Sequence, residues 1–127
     1  MRPMAGSAAT VLICDDEPSL RELIRISLNG PYSFVEADDG VESLELARRV
    51  RPDIVILDMM MPRMTGLDVL KAIRQEETLA NTRIVVLTAQ PATREQALDA
   101  GADVVMVKPF EPQQIVAAVE EVLAERE

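Results

Sequence analysis

The sequence predicts an α/β protein, a doubly wound five-stranded parallel sheet with five helices. Three observations lead there. Five short apolar runs alternate with stretches of helical period, each run followed by its helix. Four of the runs are continuously apolar, the mark of strands covered on both faces, as in parallel sheets flanked by helices. Each crossover between parallel strands is right-handed, which makes the two-sided winding the consistent topology.

The elements follow in order. Residues 10–14, Thr-Val-Leu-Ile-Cys, form a buried strand that ends on Asp15-Asp16. Pro18 suits the first position of a helix, Leu20, Leu23, Ile24 and Leu28 recur at helical spacing, and Asn29-Gly30-Pro31 stops it. Residues 33–37 are a weaker second strand; Asp38-Asp39-Gly40 opens a second helix with Val41, Leu44 and Ala47 on one face, and Arg51-Pro52 ends it. Residues 53–58 are the third strand, 59–65 a loop, and Gly66 begins a helix with Val69, Leu70 and Ile73 inward. A polar connection over 76–82 leads to the fourth strand, 84–88. Residues 91–100 are a weak helix with small residues, Ala92, Ala97 and Ala100, closed by Gly101. Residues 104–107 are the fifth strand, followed by Lys108-Pro109-Phe110. The last helix carries Ile115, Ala118, Val119, Val122 and Leu123 on one stripe, with Glu120, Glu121 and Glu125 as a solvated face.

Composition narrows the function. A chain of 127 residues suits one domain, placed at residues 10–127 behind a short leader at 1–9. Hydrophobic residues make up 48% but aromatics only 2%, so an aliphatic core forms without stacking platforms for single-stranded nucleic acid. Thirteen basic against 22 acidic residues leave a formal charge of −9, which repels phosphate backbones and argues against direct nucleic-acid binding. There is no histidine and one cysteine, so an intramolecular disulfide and Cys/His zinc sites are excluded. Cys14, inside an apolar run, reads as a small buried hydrophobe rather than a redox group. No apolar run reaches membrane-spanning length, and the leader lacks the apolar core of a signal peptide, so the expected location is cytoplasmic.

In a parallel sheet all strand ends point the same way. Asp15-Asp16, Asp58, Thr88 and Lys108 stand at or just past the carboxyl ends of the first, third, fourth and fifth strands, where open α/β sheets bind ligands. Neighbouring carboxylates repel one another and raise their pKa values. A hard divalent cation, Mg²⁺ or Mn²⁺, relieves that and bridges carboxylates to phosphate. Cation, lysine and hydroxyl together suit the equatorial oxygens of a phosphoryl group, and Asp58 is the candidate nucleophile. Taken singly, each feature has a plainer explanation: an Asp-Asp pair as a helix cap, Lys108-Pro109 as a turn, Thr88 as a strand former. Their combination at four strand ends is what carries weight.

Asp15-Asp16-Glu17-Pro18, the nine residues from Asp58 to Gly66, Thr88-Ala89 and Lys108-Pro109-Phe110 together resemble the response-regulator receiver domain of two-component signalling, over residues 10–124. The resemblance implies a flavodoxin-like fold with strand order 2-1-3-4-5. It implies that Asp58 accepts a phosphoryl group from a sensor histidine kinase, a histidine phosphotransfer protein or a small phosphodonor. Asp16, Asp58 and the Met60 carbonyl would ligate Mg²⁺ directly and Asp15 through water. Lys108 would contact the phosphoryl group, Thr88 would move toward it, Ala89 would leave that approach open, and Lys108–Pro109 would be cis. Such a domain switches conformation to control a downstream protein or an attached output domain, in some cases as a phosphorylation-dependent homodimer. Its output face would comprise the fourth helix, fifth strand and fifth helix, and a fourth helix that buries little area suits a moving element. It is not an enzyme beyond its own phosphorylation and dephosphorylation.

One position departs from the family pattern. An aromatic residue usually stands where this chain has Val105, so the usual ring switch cannot operate. Met60 and Gln90 occupy positions that modulate self-dephosphorylation in relatives. Three other functions compete. A degenerate receiver would act as a phosphorylation-independent binding module, but the acids, Thr88 and Lys108 are all retained. A haloacid-dehalogenase-type phosphatase would need an acid at position 60, which is Met60. An FMN carrier would need a hydroxyl-rich loop after the first strand and aromatics around the flavin. Stand-alone receiver and fragment of a longer regulator both fit the chain.

Overall fold

The computed structural model describes residues 9–124; the expected leader up to residue 8, and Glu125, lie outside the described residues. Five parallel strands, β1 (Ala9–Cys14), β2 (Tyr32–Ala37), β3 (Ile54–Asp58), β4 (Arg83–Thr88) and β5 (Val104–Val107), lie in the order β2-β1-β3-β4-β5. Helices α1 (Pro18–Ser27), α2 (Gly40–Val50), α3 (Gly66–Gln75), α4 (Arg94–Asp99) and α5 (Pro112–Ala124) connect them.

Alternation along each strand explains the unbroken apolar runs. Leu12, Cys14, Val55, Leu57 and Val86 join Leu44, Ala47, Val69, Leu70, Ile73 and Ala97 in a core under α2, α3 and α4. Their neighbours Val11, Ile13, Ile54, Ile56, Val85 and Leu87 face the other way, into a core with Ile24 of α1 and Ile115, Val119 and Val122 of α5. Successive side chains leave opposite faces of a strand, and here both faces are covered by helix. Two cores thereby fix the register of β1, β3 and β4, since a slip of one residue would exchange them.

Several expectations are corrected in detail. β1 opens at Ala9, and β2 at Tyr32. Leu23, expected inward, is 39% exposed, because the sheet-facing stripe of α1 runs through Leu20, Ile24 and Leu28 and Leu23 lies on its flank. In α2 the small Ser43 is buried while Val41 is only half-buried. The weak fourth helix is shorter than expected: Pro91–Thr93 form a 3₁₀ turn, α4 has six residues, and only Ala97 of it is buried. β5 is an edge strand, so of its four apolar residues only Met106 is fully buried. Among the described residues no helix is long and apolar enough to cross a membrane.

Candidate functional site

The site is assembled at the carboxyl rim of the sheet by strands whose register is set by the two cores. β3 pairs Asp58 with Leu87, one residue before Thr88, and β4 pairs Thr88 with Val107, one residue before Lys108. The backbone extends the alignment beyond the strands: the Lys108 amide donates to the Thr88 carbonyl (2.7 Å) and the Met59 amide to the Leu87 carbonyl (3.0 Å). The loop after Asp58 is closed by the Gly66 amide on the Met59 carbonyl (3.1 Å), while the Thr65 hydroxyl caps α3 at the Asp68 amide.

Asp15 is fully buried. Its Oδ1 accepts the Glu17 amide at 2.9 Å, which turns the chain into α1, and its carbonyl accepts Arg21 Nη1 at 2.6 Å. Asp58 is 4% exposed, and its Oδ1 accepts the Met60 amide at 3.3 Å. Lys108 Nζ stands between the two acids, 3.3 Å from Asp15 Oδ2 and 3.3 Å from Asp58 Oδ1. Both contacts are long for charge-assisted bonds, which favour about 2.7–2.9 Å. The ammonium is thus shared between two carboxylates rather than locked to one. Among the described residues no hydrogen bond falls on Oδ2 of Asp58, which leaves that oxygen available.

Electrostatics follow from this crowding. Burial and then the Asp15 charge push the Asp58 carboxyl above its ordinary range, against the opposing pull of Lys108 and the Met60 amide. Burial pulls the Lys108 ammonium down, but the charges of Asp15 and Asp58 outweigh it and its pKa is raised. One carboxylate oxygen each from Asp15, Asp16 and Asp58 lie within 4.8 Å of one another, with Asp16 exposed. Such an all-oxygen, multiply anionic set suits a hard divalent cation. Of Met60 the structure places the amide against Asp58, while its side chain is 69% exposed.

Thr88 is buried at 2% exposure, and its hydroxyl is turned into the turn that follows β4. It accepts the Gln90 amide at 3.1 Å and lies 2.8 Å from the Thr93 hydroxyl. Ala89 is exposed beside it, and the Lys108–Pro109 peptide is cis. A groove of about 600 Å³ opens next to the site between α1 and the loop after β5, lined by Leu20, Leu23, Ala89, Lys108, Pro109 and Phe110. All six expected site residues thus lie along one rim, with Asp15, Asp58 and Lys108 in direct contact. Arg21 and Thr93 were not read from the sequence. Each acts through a neighbour's backbone or hydroxyl, and nothing in its local composition marks it.

The fold is a doubly wound parallel sheet that carries three acids, a threonine and a lysine along its carboxyl rim. The model of the response regulator receiver domain matches residues 11–120, and the chain belongs to that family. It is 40% identical over 119 residues to the probable transcriptional regulatory protein TcrX of Mycobacterium tuberculosis, covering 91% of this chain and 50% of that protein. It is 43% identical over 117 residues to the response regulator MprA of Mycobacterium leprae, covering 89% and 50%. The chain spans about half the length of these curated relatives. Among solved structures, a putative response regulator from Chloroflexus aurantiacus superposes with a TM-score of 0.87 at 33% identity, covering 93% of this chain and 99% of that one. The chemotaxis response regulator CheY4 of Vibrio cholerae gives 0.84 at 34%, covering 91% and 99%.

Proposed function

We propose that the chain is a phosphorylation switch in which Asp58 takes a phosphoryl group from a sensor histidine kinase, a histidine phosphotransfer protein or a small phosphodonor. The observation that carries this is the asymmetry of the Asp58 carboxylate. Oδ1 is held by Lys108 and the Met60 amide, and Oδ2 is left to attack. Oδ2 forms the new bond to phosphorus, the bond from phosphorus to the donor breaks, and the donor leaves with that electron pair. Lys108 is placed to follow the charge from the carboxylate onto the phosphoryl oxygens, where a preorganised cation has most effect. The cluster of Asp15, Asp16 and Asp58 fits Mg²⁺, with Mn²⁺ an alternative, and the bound ion would neutralise the acids and the incoming phosphate. The Met60 carbonyl is proposed as its further protein ligand.

The groove beside Lys108 gives a protein donor an apolar surface to rest on. Removal of the phosphoryl group is left to water, and we propose no turnover of external phosphoesters, since the exposed thioether of Met60 offers no general acid. The names of the relatives, a probable transcriptional regulatory protein and response regulators about twice this length, support a role as the receiver part of a transcriptional regulator. The receiver itself, with its formal charge of −9, would leave nucleic-acid contact to an output domain. The test is intact mass after incubation with acetyl phosphate. A gain of one phosphoryl group that requires Mg²⁺ and is lost in Asp58→Asn is expected. No gain with metal present would overturn the reading.

A further inference from the structure

The hydroxyl of Thr88 sits in a closed ring of hydrogen bonds with Gln90 and Thr93. The Gln90 amide donates to Thr88 Oγ1 (3.1 Å), and Thr93 Oγ1 lies 2.8 Å from the Gln90 carbonyl. The Thr88 hydroxyl also lies 3.3 Å from that carbonyl, so its proton goes to Thr93 when Thr93 donates to Gln90, or to the Gln90 carbonyl when Thr93 donates to Thr88. In both arrangements the Thr88 proton is held inside the ring. Within this ring Thr88 has no proton to offer anything at Asp58. The residues that close the ring form the 3₁₀ turn that leads into α4, a six-residue helix with one buried side chain, so the turn is weakly held otherwise.

We propose that Thr93 is a positioning residue that latches Thr88 in the unphosphorylated state, so that recruiting the Thr88 hydroxyl to a phosphoryl group on Asp58 requires opening the ring and releasing the 91–93 turn. This rests on the reading of Asp58 as phosphoacceptor and adds what sets the resting position of its neighbour. It gives the chain a route from site to α4 that does not pass through Val105. Opening the ring is the coupling step: the turn can move only after Thr93 loses Thr88, and Thr88 can move only after it loses Thr93.

The test uses the aspartyl-phosphate analogue beryllium trifluoride with Mg²⁺, its affinity read by ¹⁹F NMR, in the wild type, Thr93→Val, Thr93→Ser, Thr88→Val and the Thr88→Val/Thr93→Val double variant. Losing one hydrogen bond of ordinary net strength changes an equilibrium about fivefold. Thr93→Val, which keeps the shape and removes the hydroxyl, is therefore expected to tighten apparent affinity about fivefold, because more of the protein is competent before binding. Thr93→Ser is expected to restore wild-type affinity, and Thr93→Val to have no effect once Thr88 is valine. Unchanged or weakened binding in Thr93→Val, or an effect that persists without the Thr88 hydroxyl, overturns the latch. Amide exchange at Gln90 judges the ring separately: about fivefold faster in Thr93→Val and normal in Thr93→Ser if it is closed, equal in all three if it is not. A wild type that binds no analogue removes the phosphoacceptor reading, and the exchange result then decides whether the ring exists.

Discussion

Replacing Gly66 with alanine tests how the loop after β3 holds Asp58. A Cβ built at Gly66 would lie 2.1 Å from the Asp58 carbonyl oxygen, 2.7 Å from Met59 Cα and 2.9 Å from the Asp58 carbonyl carbon. All three are backbone atoms, so no side chain can swing aside. Relief to an ordinary contact of 3.4 Å requires a shift of about 1.3 Å between α3 and the end of β3. Overpacking of this kind costs about 1–3 kcal/mol. Stretching the bond from the Gly66 amide to the Met59 carbonyl adds about 1 kcal/mol. Alanine's better helix propensity returns at most about 1 kcal/mol. The net loss is about 1–4 kcal/mol, or roughly 5–15 °C in Tm for a domain of this size. Function should suffer more than stability, since a displacement near 1 Å at a reacting group costs about 10²-fold in rate. The assay is phosphoryl uptake by mass spectrometry at a temperature where the variant is folded, beside Val122→Ala, a buried α5 residue whose truncation costs about 2 kcal/mol away from the loop. Val122→Ala should lose Tm and keep the rate. A Gly66→Ala protein with wild-type Tm, or one destabilised but phosphorylated at the wild-type rate, would refute the reasoning.

Other outcomes follow from the same structure. Asp58 has a raised pKa, so the metal-free native state binds that proton more tightly than the unfolded chain. Its contribution to stability falls as pH rises from about 3.8 through the raised value; urea midpoints against pH should show this, and Asp58→Asn should remove it. Mg²⁺ at a hundredfold over its Kd should add about 2.7 kcal/mol to the wild type, and Asp58→Asn should lose most of that gain in a thermal melt. Arg74 donates to the Gly101 carbonyl (2.9 Å), the Thr82 carbonyl (2.7 Å) and Asp103 Oδ2 (3.0 Å), so Arg74→Met should cost about 2–4 kcal/mol in denaturant unfolding by taking the arginine from both carbonyls, while Asp103 keeps the Ile84 amide (2.8 Å). Burial pushes the Cys14 thiol from 9.0 up to about 12. Above pH 9 the unfolded thiol ionises first, and stability should fall by about 1.4 kcal/mol per pH unit toward pH 12 beyond the slope of Cys14→Ala.

The strand ends were legible because two signals coincide there. A continuously apolar run shows a strand buried on both faces, and the first polar residue after it marks the rim. Asp15, Asp58, Thr88 and Lys108 were found by that rule, and the register of β3 and β4 aligns the last three as the rule requires. The rule fails at an edge. Val104-Val105-Met106-Val107 reads like the central strands, yet β5 has a neighbour on one side only and three of its valines remain half-buried. Helix periodicity failed in α1 for a related reason. Leu23 carries the right spacing, but the covered stripe is too narrow to reach it, and it lines the groove beside the site instead. Interactions made through backbone atoms left no trace in composition. Arg74 is one of many arginines until its acceptors on two separate segments are seen, and Thr93 gains meaning only from its contact with the Thr88 hydroxyl.

The central claim is that Asp58, and neither of the acids beside it, carries the phosphoryl group. The most direct measurement is borohydride reduction of the protein after acetyl phosphate and Mg²⁺, followed by peptide mass mapping. An acyl phosphate is reduced to the alcohol, so the acceptor aspartate is recovered as homoserine. The expected result is homoserine at position 58 alone, with Asp15 and Asp16 intact. Conversion at position 15 or 16, or conversion nowhere despite metal and donor, would contradict the account.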